Sequence, residues 1–290
     1  LPGGNTAVIM RMSFAAGNWT LDSGFPKTVS LVQEKRMNLA RAANGELWAF
    51  WIADSTLFAR VSTDAGVNWS SDIVVKAHLH SDIGLQDAVP FSTGGNDFIG
   101  VGYAENNESG TTVFGFLRHQ NGADPTTWTD ESASMPQFGT NSDDHISMLA
   151  YNGEVFMLVK TDGGGNNTAH DGLLHRNSGG VWQAYSVNNG EGWTKPALAL
   201  DETNSRLFAL GTREGDSLQC VEGKSVSLGS YGSFVDAPID TFMQMRFDNF
   251  LDVSTPAHTV TGASALLIAA SNDTRGEIWV QYIDLPGGGG

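Results

Sequence analysis

Five apolar runs recur along the chain, and this repeat restricts the fold more than any other feature of the sequence. Each run follows a turn, is too short for a typical helix and ends in acidic or amide residues, which is the pattern of a buried β-strand. Successive runs start 51 to 59 residues apart, and we expect each to be the central strand of one unit. The runs are GELWAFWIAD from Gly45, NDFIGVGYAE from Asn96, GEVFMLVKTD from Gly153, SRLFALGTRE from Ser205 and SALLIAASND from Ser264.

A second repeat is interleaved with the first, in which an Arg closes an apolar run and a Trp follows a small turn. The best-formed turn is STDAGVNWS, residues 62–70. Asp64 can accept hydrogen bonds from backbone N–H groups, Ser62 can add a hydroxyl bond, Gly66 can take a positive φ, and Trp69 can bury its ring under the hairpin. We therefore interpret the motif as a folded turn. The pairs are Arg11 and Trp19, Arg60 and Trp69, Arg118 and Trp128, and Arg176 and Trp182.

The pattern S-x-D-x-G-x-x-W resembles the Asp-box (BNR) repeat of sialidase-like β-propellers, where it joins the third and fourth strands of a blade. Units of 50 to 59 residues with about four short strands are typical of propeller blades. We predict an all-β protein, a β-propeller of four-stranded antiparallel blades with at least five blades. The propeller covers residues 7–285, between a linker at 1–6 and a Gly-rich linker at 286–290. Residues 7–22 either complete the blade of residues 249–285 or belong to a larger ring.

The remaining strands follow from the same repeat. The predicted third strands are TLFARVS, TVFGFLRH, DGLLHR, SLQCVEG and EIWVQYI. The predicted first strands are NLARA, IGLQDAVPF, HISMLAY, PALAL and HTVTG. The stretches LDSGFP, SDDHIS, GEGWTKP and LDETNSRLFAL are also similar to a group of bacterial exported sialidase-like propellers, a resemblance that implies the fold and no particular activity.

Charge and composition exclude several classes of partner. The formal net charge is −16, which repels nucleic acid and anionic lipid. No apolar run approaches the roughly 18 residues that span a bilayer, so we predict no membrane insertion. The single cysteine, Cys220, cannot form an internal disulfide and is expected to be a buried apolar residue. A chain that begins with Leu is consistent with a processed product or a domain of a larger chain or assembly.

Propeller geometry limits where a ligand site can lie. The first strand of each blade lines the central channel, and the loops that lead into it share one face, here called the upper face, with the loops between second and third strands. The turns of the Asp-box type lie on the opposite, lower face. His80 and Asp82 precede one first strand and would share the upper face. The candidate ligand-binding residues there are Trp193, Lys195, Asp143, Asp144, His145, Lys160, His170 and Asp171.

These residue types suit a glycan. Trp193 beside Lys195 would offer an apolar face with a cation for a sugar ring, and the carboxylates would bind hydroxyl groups. The alternative is structural, in which Asp144 and its equivalents cap neighbouring backbone N–H groups and hold blades together. Trp193 is equally a residue type that packs between blades.

Catalysis is the competing function. A sialidase needs three arginines around a carboxylate, and its first usually lies in an R-I-P motif, whereas none of the ten arginines here is followed by x-Pro. The sequence therefore argues against sialidase activity. A glycoside hydrolase or polysaccharide lyase would use paired carboxylates or a histidine, with Asp144, His145 and Asp82 as candidates.

The segment TDGGGNNTAHDG is faintly similar to a Gly/Asp-rich calcium loop, but its spacing fits no calcium motif. We therefore predict no metal or cofactor, with Ca²⁺ as the alternative.

The function predicted from sequence is an extracellular, cell-surface or virion-surface module for carbohydrate recognition or adhesion. Glycan cleavage is the first alternative, and a structural subunit of a larger assembly is the second.

Overall fold

The computed structural model describes residues 7–30, 37–79, 86–104, 114–136, 142–161, 171–188, 193–213, 218–246, 250–255, 259–262, 265–272 and 275–285. Strands dominate these ranges, and the only helical elements among them are two 3₁₀ turns, Ser132–Ser134 and Tyr231–Phe234. No helix within the described ranges is long and apolar enough to cross a membrane.

The strands form successive antiparallel sheets that follow the predicted repeat. An N-terminal unit contains β1 (Ala7–Ile9), β2 (Met12–Ala15), β3 (Asn18–Leu21) and β4 (Lys27–Ser30). Blade I contains β5 (Met37–Arg41), β6 (Leu47–Ala53), β7 (Thr56–Ser62) and β8 (Ile73–Lys76). Blade II contains β9 (Gln86–Thr93), β10 (Asn96–Ala104), β11 (Phe114–Gln120) and β12 (Thr129–Asp130). Blade III contains β13 (Ser142–Tyr151), β14 (Glu154–Thr161), β15 (Asp171–Arg176) and β16 (Trp182–Asn188).

The C-terminal part continues the series. Blade IV contains β17 (Trp193–Asp201), β18 (Arg206–Arg213), β19 (Leu218–Ser227) and β20 (Asp240–Arg246). Blade V contains β21 (Phe250–Ser254), β23 (Ala265–Asn272) and β24 (Glu277–Asp284), and β22 (Thr259–Val260) lies between β21 and β23 in the chain. Blades I to III have four strands in sequential order, and so do β17 to β20. The predicted β-propeller is therefore confirmed, and all five central strands lie where the apolar runs placed them.

One predicted strand is wrong. HTVTG was expected to be the first strand of blade V, but the strand that pairs with β23 there is β21, residues 250–254. The two residues of β22 instead pair in parallel with β17, where Thr259 lies opposite Leu200. Both segments are rich in residues that favour strands, so the local pattern alone does not choose between them.

The N-terminal unit pairs within itself, since β1 pairs with β4 and β2 with β3. Among the described residues, none of these strands pairs with a strand of blade V. The hairpin of β2 and β3 carries Trp19, which is 65% exposed and contacts Phe14 at a ring-centroid distance of 5.0 Å. Trp19 was predicted to belong to a structural turn of the same repeat as Trp69. The Trp19 ring lies on the exposed β2–β3 hairpin, where Phe14 is exposed as well.

The apolar core lies between neighbouring blades. One cluster joins Trp48 and Phe50 of blade I to Tyr103 of blade II, and equivalent clusters fill the spaces between the later blades. Gly102 shows how close the approach is, because a Cβ there would lie 2.5 Å from the Met157 sulfur of blade III. Adjacent sheets therefore pack face to face, and each blade depends on its neighbours for a core.

The turn at residues 62–70 has the hydrogen bonds that its residue types predict. Asp64 accepts from the Asn68 backbone N–H at 2.8 Å, and the Ser62 hydroxyl accepts from the Gly66 N–H at 2.9 Å. Gly66 has a φ of +85°, and the Trp69 indole donates to its carbonyl at 3.2 Å. Trp69 itself is half-buried. The turn is a closed structural unit, as expected from the sequence.

The repeated arginines form ion pairs, and some also contact a neighbouring unit. Arg11 donates to the Ala65 carbonyl of blade I at 3.2 Å, and Arg60 donates to the Val29 carbonyl of the N-terminal unit at 2.5 Å. These residues are therefore structural, as their place in the repeat indicated. The ion pairs within units are Arg11–Asp22 at 2.6 Å, Arg60–Asp72 at 2.6 Å and Arg118–Glu131 at 2.7 Å.

Glu131 is the acceptor for two of the repeats. It binds Arg118 of its own blade and Arg176 of blade III, and it accepts a hydrogen bond from the Trp182 indole at 3.0 Å. Burial by itself would raise the pKa of this carboxyl, but the hydrogen bonds from Arg176 and Trp182 outweigh it and the pKa is lowered. Trp128 packs elsewhere, edge-on against Trp48 at 5.6 Å.

We predict that Glu131→Gln destabilises the protein by about 3 kcal/mol, because it leaves the Arg176 guanidinium, only 4% exposed, without its anion. Urea unfolding at pH 7 measures this loss. The control is Lys76→Met, which removes the more exposed Lys76–Asp130 pair and should cost less than about 1 kcal/mol. Equal losses in the two variants would contradict the assignment.

We also predict a pH signature for the turn at Asp64. Hydrogen bonds from the backbone and side chain of Asn68 lower the Asp64 pKa to about 2. Because the folded pKa lies below the usual value of about 3.9, the stabilisation is complete above that value and is lost as the pH falls toward 2. Asp64→Asn should lower the thermal midpoint at pH 7 and flatten its decline between those pH values. Asp240→Asn is the control, because the Asp240 side chain is exposed and forms no hydrogen bond in the described part of the chain. It should change neither the thermal midpoint nor its decline with pH.

Candidate functional site

A row of buried polar side chains crosses the upper end of blade III. Lys160 lies opposite Asp171 in the pairing of β14 with β15, and Asp171 lies opposite Asn188 in the pairing of β15 with β16. Directly opposed residues of antiparallel strands point to the same face of the sheet. The Asn188 side-chain amide donates to the Asp171 carboxylate, and neither residue is exposed to solvent. Two of the predicted site residues, Lys160 and Asp171, are therefore brought together.

The row continues across the boundary between blades III and IV, which we call the III–IV seam. Lys160 Nζ donates to Thr194 Oγ1 of blade IV at 3.0 Å, and the Thr212 hydroxyl donates to the Thr194 carbonyl at 3.2 Å. All three residues are buried. An ammonium group removed from water needs such hydrogen bonds, so the seam holds its polar groups in fixed positions.

His145 lies at the same end of blade III, on β13, and is only 7% exposed. Just below it on the same strand, the Ser147 hydroxyl accepts a hydrogen bond from the Leu198 N–H of blade IV at 3.1 Å. One blade earlier, the Asp87 carboxylate accepts from the Met148 N–H at 2.7 Å. The structural role considered for Asp144, in which a carboxylate caps a backbone N–H of the next blade, is thus performed by Asp87.

Trp193 requires a correction. Its indole has no exposed surface, and Nε1 donates to the Glu222 carboxylate at 2.9 Å. Gly211 makes room for the ring, since a Cβ there would lie 2.9 Å from Trp193 Cβ. A sugar cannot stack on a ring enclosed in this way, so the expected stacking surface is absent. Its neighbour Lys195 is half-exposed with a φ of +53°, within an irregularity between Thr194 and Ala197.

For the other predicted site residues, the side chain or the whole residue lies outside the residues that the structure describes. Asp143 and Asp144 belong to the backbone of β13, and their side chains are outside the described residues. His80, Asp82 and His170 also lie outside them.

No group of three or more His, Cys, Asp or Glu side chains within the described ranges could hold a metal ion. Most of the calcium-like segment, residues 162–170, is outside those ranges.

A cluster of titratable groups at the lower end of blade III was not predicted from sequence. His175 Nε2 lies 3.1 Å from Glu154 Oε2, and the Tyr231 hydroxyl donates to the same oxygen at 3.4 Å. The His175 ring stacks on Phe156 at 4.9 Å. The three polar residues come from two strands and a distant 3₁₀ turn, so no spacing in the sequence connects them.

Burial determines the protonation of this cluster. Burial lowers the pKa of His175, although Glu154 opposes the shift, and burial raises the pKa of Tyr231 to about 12. Both groups are thereby held neutral near pH 7. A tyrosine with so high a pKa and a largely buried histidine serve packing better than proton transfer.

We predict that this histidine makes stability depend on pH. Because the neutral ring is favoured in the folded state, the stabilisation is complete above the ordinary histidine pKa of about 6.5 and falls as the pH drops below it, by up to about 1.4 kcal/mol per pH unit. Urea unfolding at pH 7.5 and 5.5 should show this decline, and His175→Gln should reduce it. His78→Asn, at an exposed position with a φ of +62°, should leave the decline unchanged. A decline that persists in the His175 variant would contradict the assignment.

Comparisons with known proteins support the fold. No family model matches the sequence, and no curated protein matches it either. Solved structures with a similar fold include a protein of unknown function from Dyadobacter fermentans, with a TM-score of 0.56 and 11% identity over 91% of this chain and 79% of that one. The hydrazine synthase of Kuenenia stuttgartiensis gives a TM-score of 0.53 and 9% identity over 88% and 67% of the two chains.

A third similar structure is the subtype N10 neuraminidase-like protein of A/little yellow-shouldered bat/Guatemala. Its TM-score is 0.50, with 11% identity over 92% of this chain and 85% of that one. Identities this low show a shared propeller architecture and carry no residue assignments.

Proposed function

We propose that the protein is a glycan-directed β-propeller whose ligand site lies at the upper end of the III–IV seam. The observation that carries this proposal is the buried ammonium of Lys160, held against Thr194 beside the Asp171–Asn188 pair. Because these side chains are buried, we propose that they hold the upper end of the seam in place, and that more exposed polar groups beside them, such as Lys195, contact the hydroxyl groups of the sugar. The net charge of −16 favours a neutral glycan over a polyanionic one.

The sequence that borders this row is rich in polar and glycine residues. Residues 162–170, DGGGNNTAH, connect Thr161 to Asp171, and residues 189–192, NGEG, connect Asn188 to Trp193. We propose that the half-exposed Lys195 lies at the margin of the site, and we keep His170 as a candidate from the sequence. Placement on the upper face follows the general rule that function resides in the loops carried by a rigid scaffold.

Recognition and cleavage are the two activities that fit this site. Recognition requires only that the buried seam hold exposed polar groups in place at its upper end. Cleavage requires two carboxyl groups about 5 to 10 Å apart, and the candidates from the sequence are Asp144 and Asp82, with His145 as the titratable partner. The neuraminidase-like neighbour has the same architecture, which supports testing cleavage in the same experiment.

We also propose that the turn at residues 62–70 belongs to the Asp-box class, on the basis of its residues and hydrogen bonds. Surface exposure outside the cell or on a virion remains part of the proposal, since a soluble, acidic glycan-directed propeller suits that location.

The test is a glycan array with the purified protein, followed by product analysis on any glycan that binds. Lys160→Met and Thr194→Val should each weaken binding at least tenfold, because they remove the polar groups of the seam while keeping their size. Lys76→Met is the matched control and should bind normally. Products that disappear in Asp144→Asn or His145→Ala would assign cleavage.

Thermal unfolding of each variant must first show a folded protein. Unchanged binding in folded Lys160→Met and Thr194→Val, or no binding and no turnover by the unaltered protein, would overturn the proposed site.

A further inference from the structure

A groove on the lower face of blade IV has no counterpart in the proposed function. It has a volume of about 410 Å³, within the range of small-molecule sites. Arg206 begins β18 and the serines of β19 end there, so the groove lies at the opposite end of the blade from Thr212. Its lining residues are Arg206, Ser225, Val226, Ser227, Ser230, Ser233, Asp236 and Ala237.

Residues 228–239, which form one wall of the groove, are anchored to the core of the protein. Residues 228–239 connect β19 to β20, and Tyr231 and Phe234 of this segment are buried in the core between blades III and IV. Lys224, only 2% exposed, donates from Nζ to the Val187 carbonyl at 3.0 Å and to the Val235 carbonyl at 3.4 Å. Because these anchors hold the segment, a ligand would not have to order it on binding.

The charged residues of the groove are not neutralised by each other. Arg206 donates from Nη2 to the Ser225 hydroxyl at 2.5 Å, and within the described part of the chain Nε and Nη1 have no hydrogen bond. Asp236 is exposed and forms no ion pair or hydrogen bond there. A guanidinium has five N–H donors and a carboxylate about four acceptor positions, so both retain capacity for a ligand.

We propose that this groove binds a neutral saccharide unit. Four serine hydroxyls, one guanidinium and one carboxylate supply donors and acceptors on several sides, which suits a molecule with many hydroxyl groups. With one cation and one anion the lining has no net charge, and the acidic protein as a whole repels anions, so a phosphate or sulfate group is disfavoured. The half-buried Ala237 adds a small apolar surface against which the C–H groups of a sugar can pack. This inference does not rest on the proposed function of the III–IV seam.

The test is an amide NMR titration of the folded protein with maltose, cellobiose and lactose, and with sodium sulfate as the anion. Saturable shifts should occur at Ser227, Gly229, Ser230 and Ser233. Arg206→Gln and Asp236→Asn should each raise the Kd at least tenfold, since each removes a charged hydrogen-bond partner. Asp240→Asn is the matched control, because it removes an exposed acid at the end of the same segment that does not line the groove, and its Kd should be unchanged.

The location of the amide NMR shifts distinguishes binding at the III–IV seam from binding in the groove. Shifts at Thr161, Thr194 and Thr212 alone would support the III–IV seam and overturn the groove. Shifts at the groove alone would support the groove and leave the seam without a ligand among these sugars. An absence of groove shifts well above millimolar sugar, or equal shifts with sulfate that compete with the sugar, would also overturn the proposal.

Discussion

Hydrogen bonds from side chains to the innermost strands determine how the blades can be arranged. In the described part of the chain, β9 and β13 each pair with one neighbour in their own sheet, which leaves an inner edge without a strand partner. Asp87 and Ser147 each bind a backbone N–H of the next blade, and the Asn38 amide binds the Gln86 carbonyl. An unpaired buried backbone group costs about 1–3 kcal/mol. These contacts therefore lower the free-energy cost of the inner strand edges, which have no strand partner. The first strands must therefore carry polar residues for structural reasons alone.

This requirement explains why polar residues near the channel are ambiguous indicators of function. Asp87 lies within a predicted first strand and binds a backbone N–H of the next blade, which is a structural role. The sequence analysis considered the same role for Asp144. Lys160 also makes a contact of another kind, because its ammonium donates to the Thr194 side chain of the next blade. A side chain that contacts another side chain across a seam does not close a strand edge. That difference separates the seam from the inner-edge contacts.

The fold was predictable wherever a repeat imposed a pattern, and the errors occur where the repeat ends. The central strands, such as β14 and β18, were found because their apolar runs have no competing interpretation. HTVTG was misplaced because FLDVS, residues 250–254, is equally suited to a strand, and the choice depends on which edge is free. The sequence left Trp193 open between sugar stacking and packing, because its burial depends on Gly211, one strand away in the fold. The Glu154–His175–Tyr231 cluster was missed because only the folded chain brings it together.

Blade IV departs from the lower-face pattern that the earlier units share. The N-terminal unit and blades I to III each contain an Arg followed by a turn and a Trp, and their arginines are ion-paired. In blade IV the same connection is replaced by residues 228–239, which contain serines, a buried 3₁₀ turn and Asp236. Natural sequences break a local structural rule most often where a function requires it. In the described structure this connection lines the groove in which Arg206 has N–H donors, and Asp236 carboxylate oxygens, without hydrogen-bond partners. The departure from the repeat and these available hydrogen-bonding groups therefore occur in the same groove.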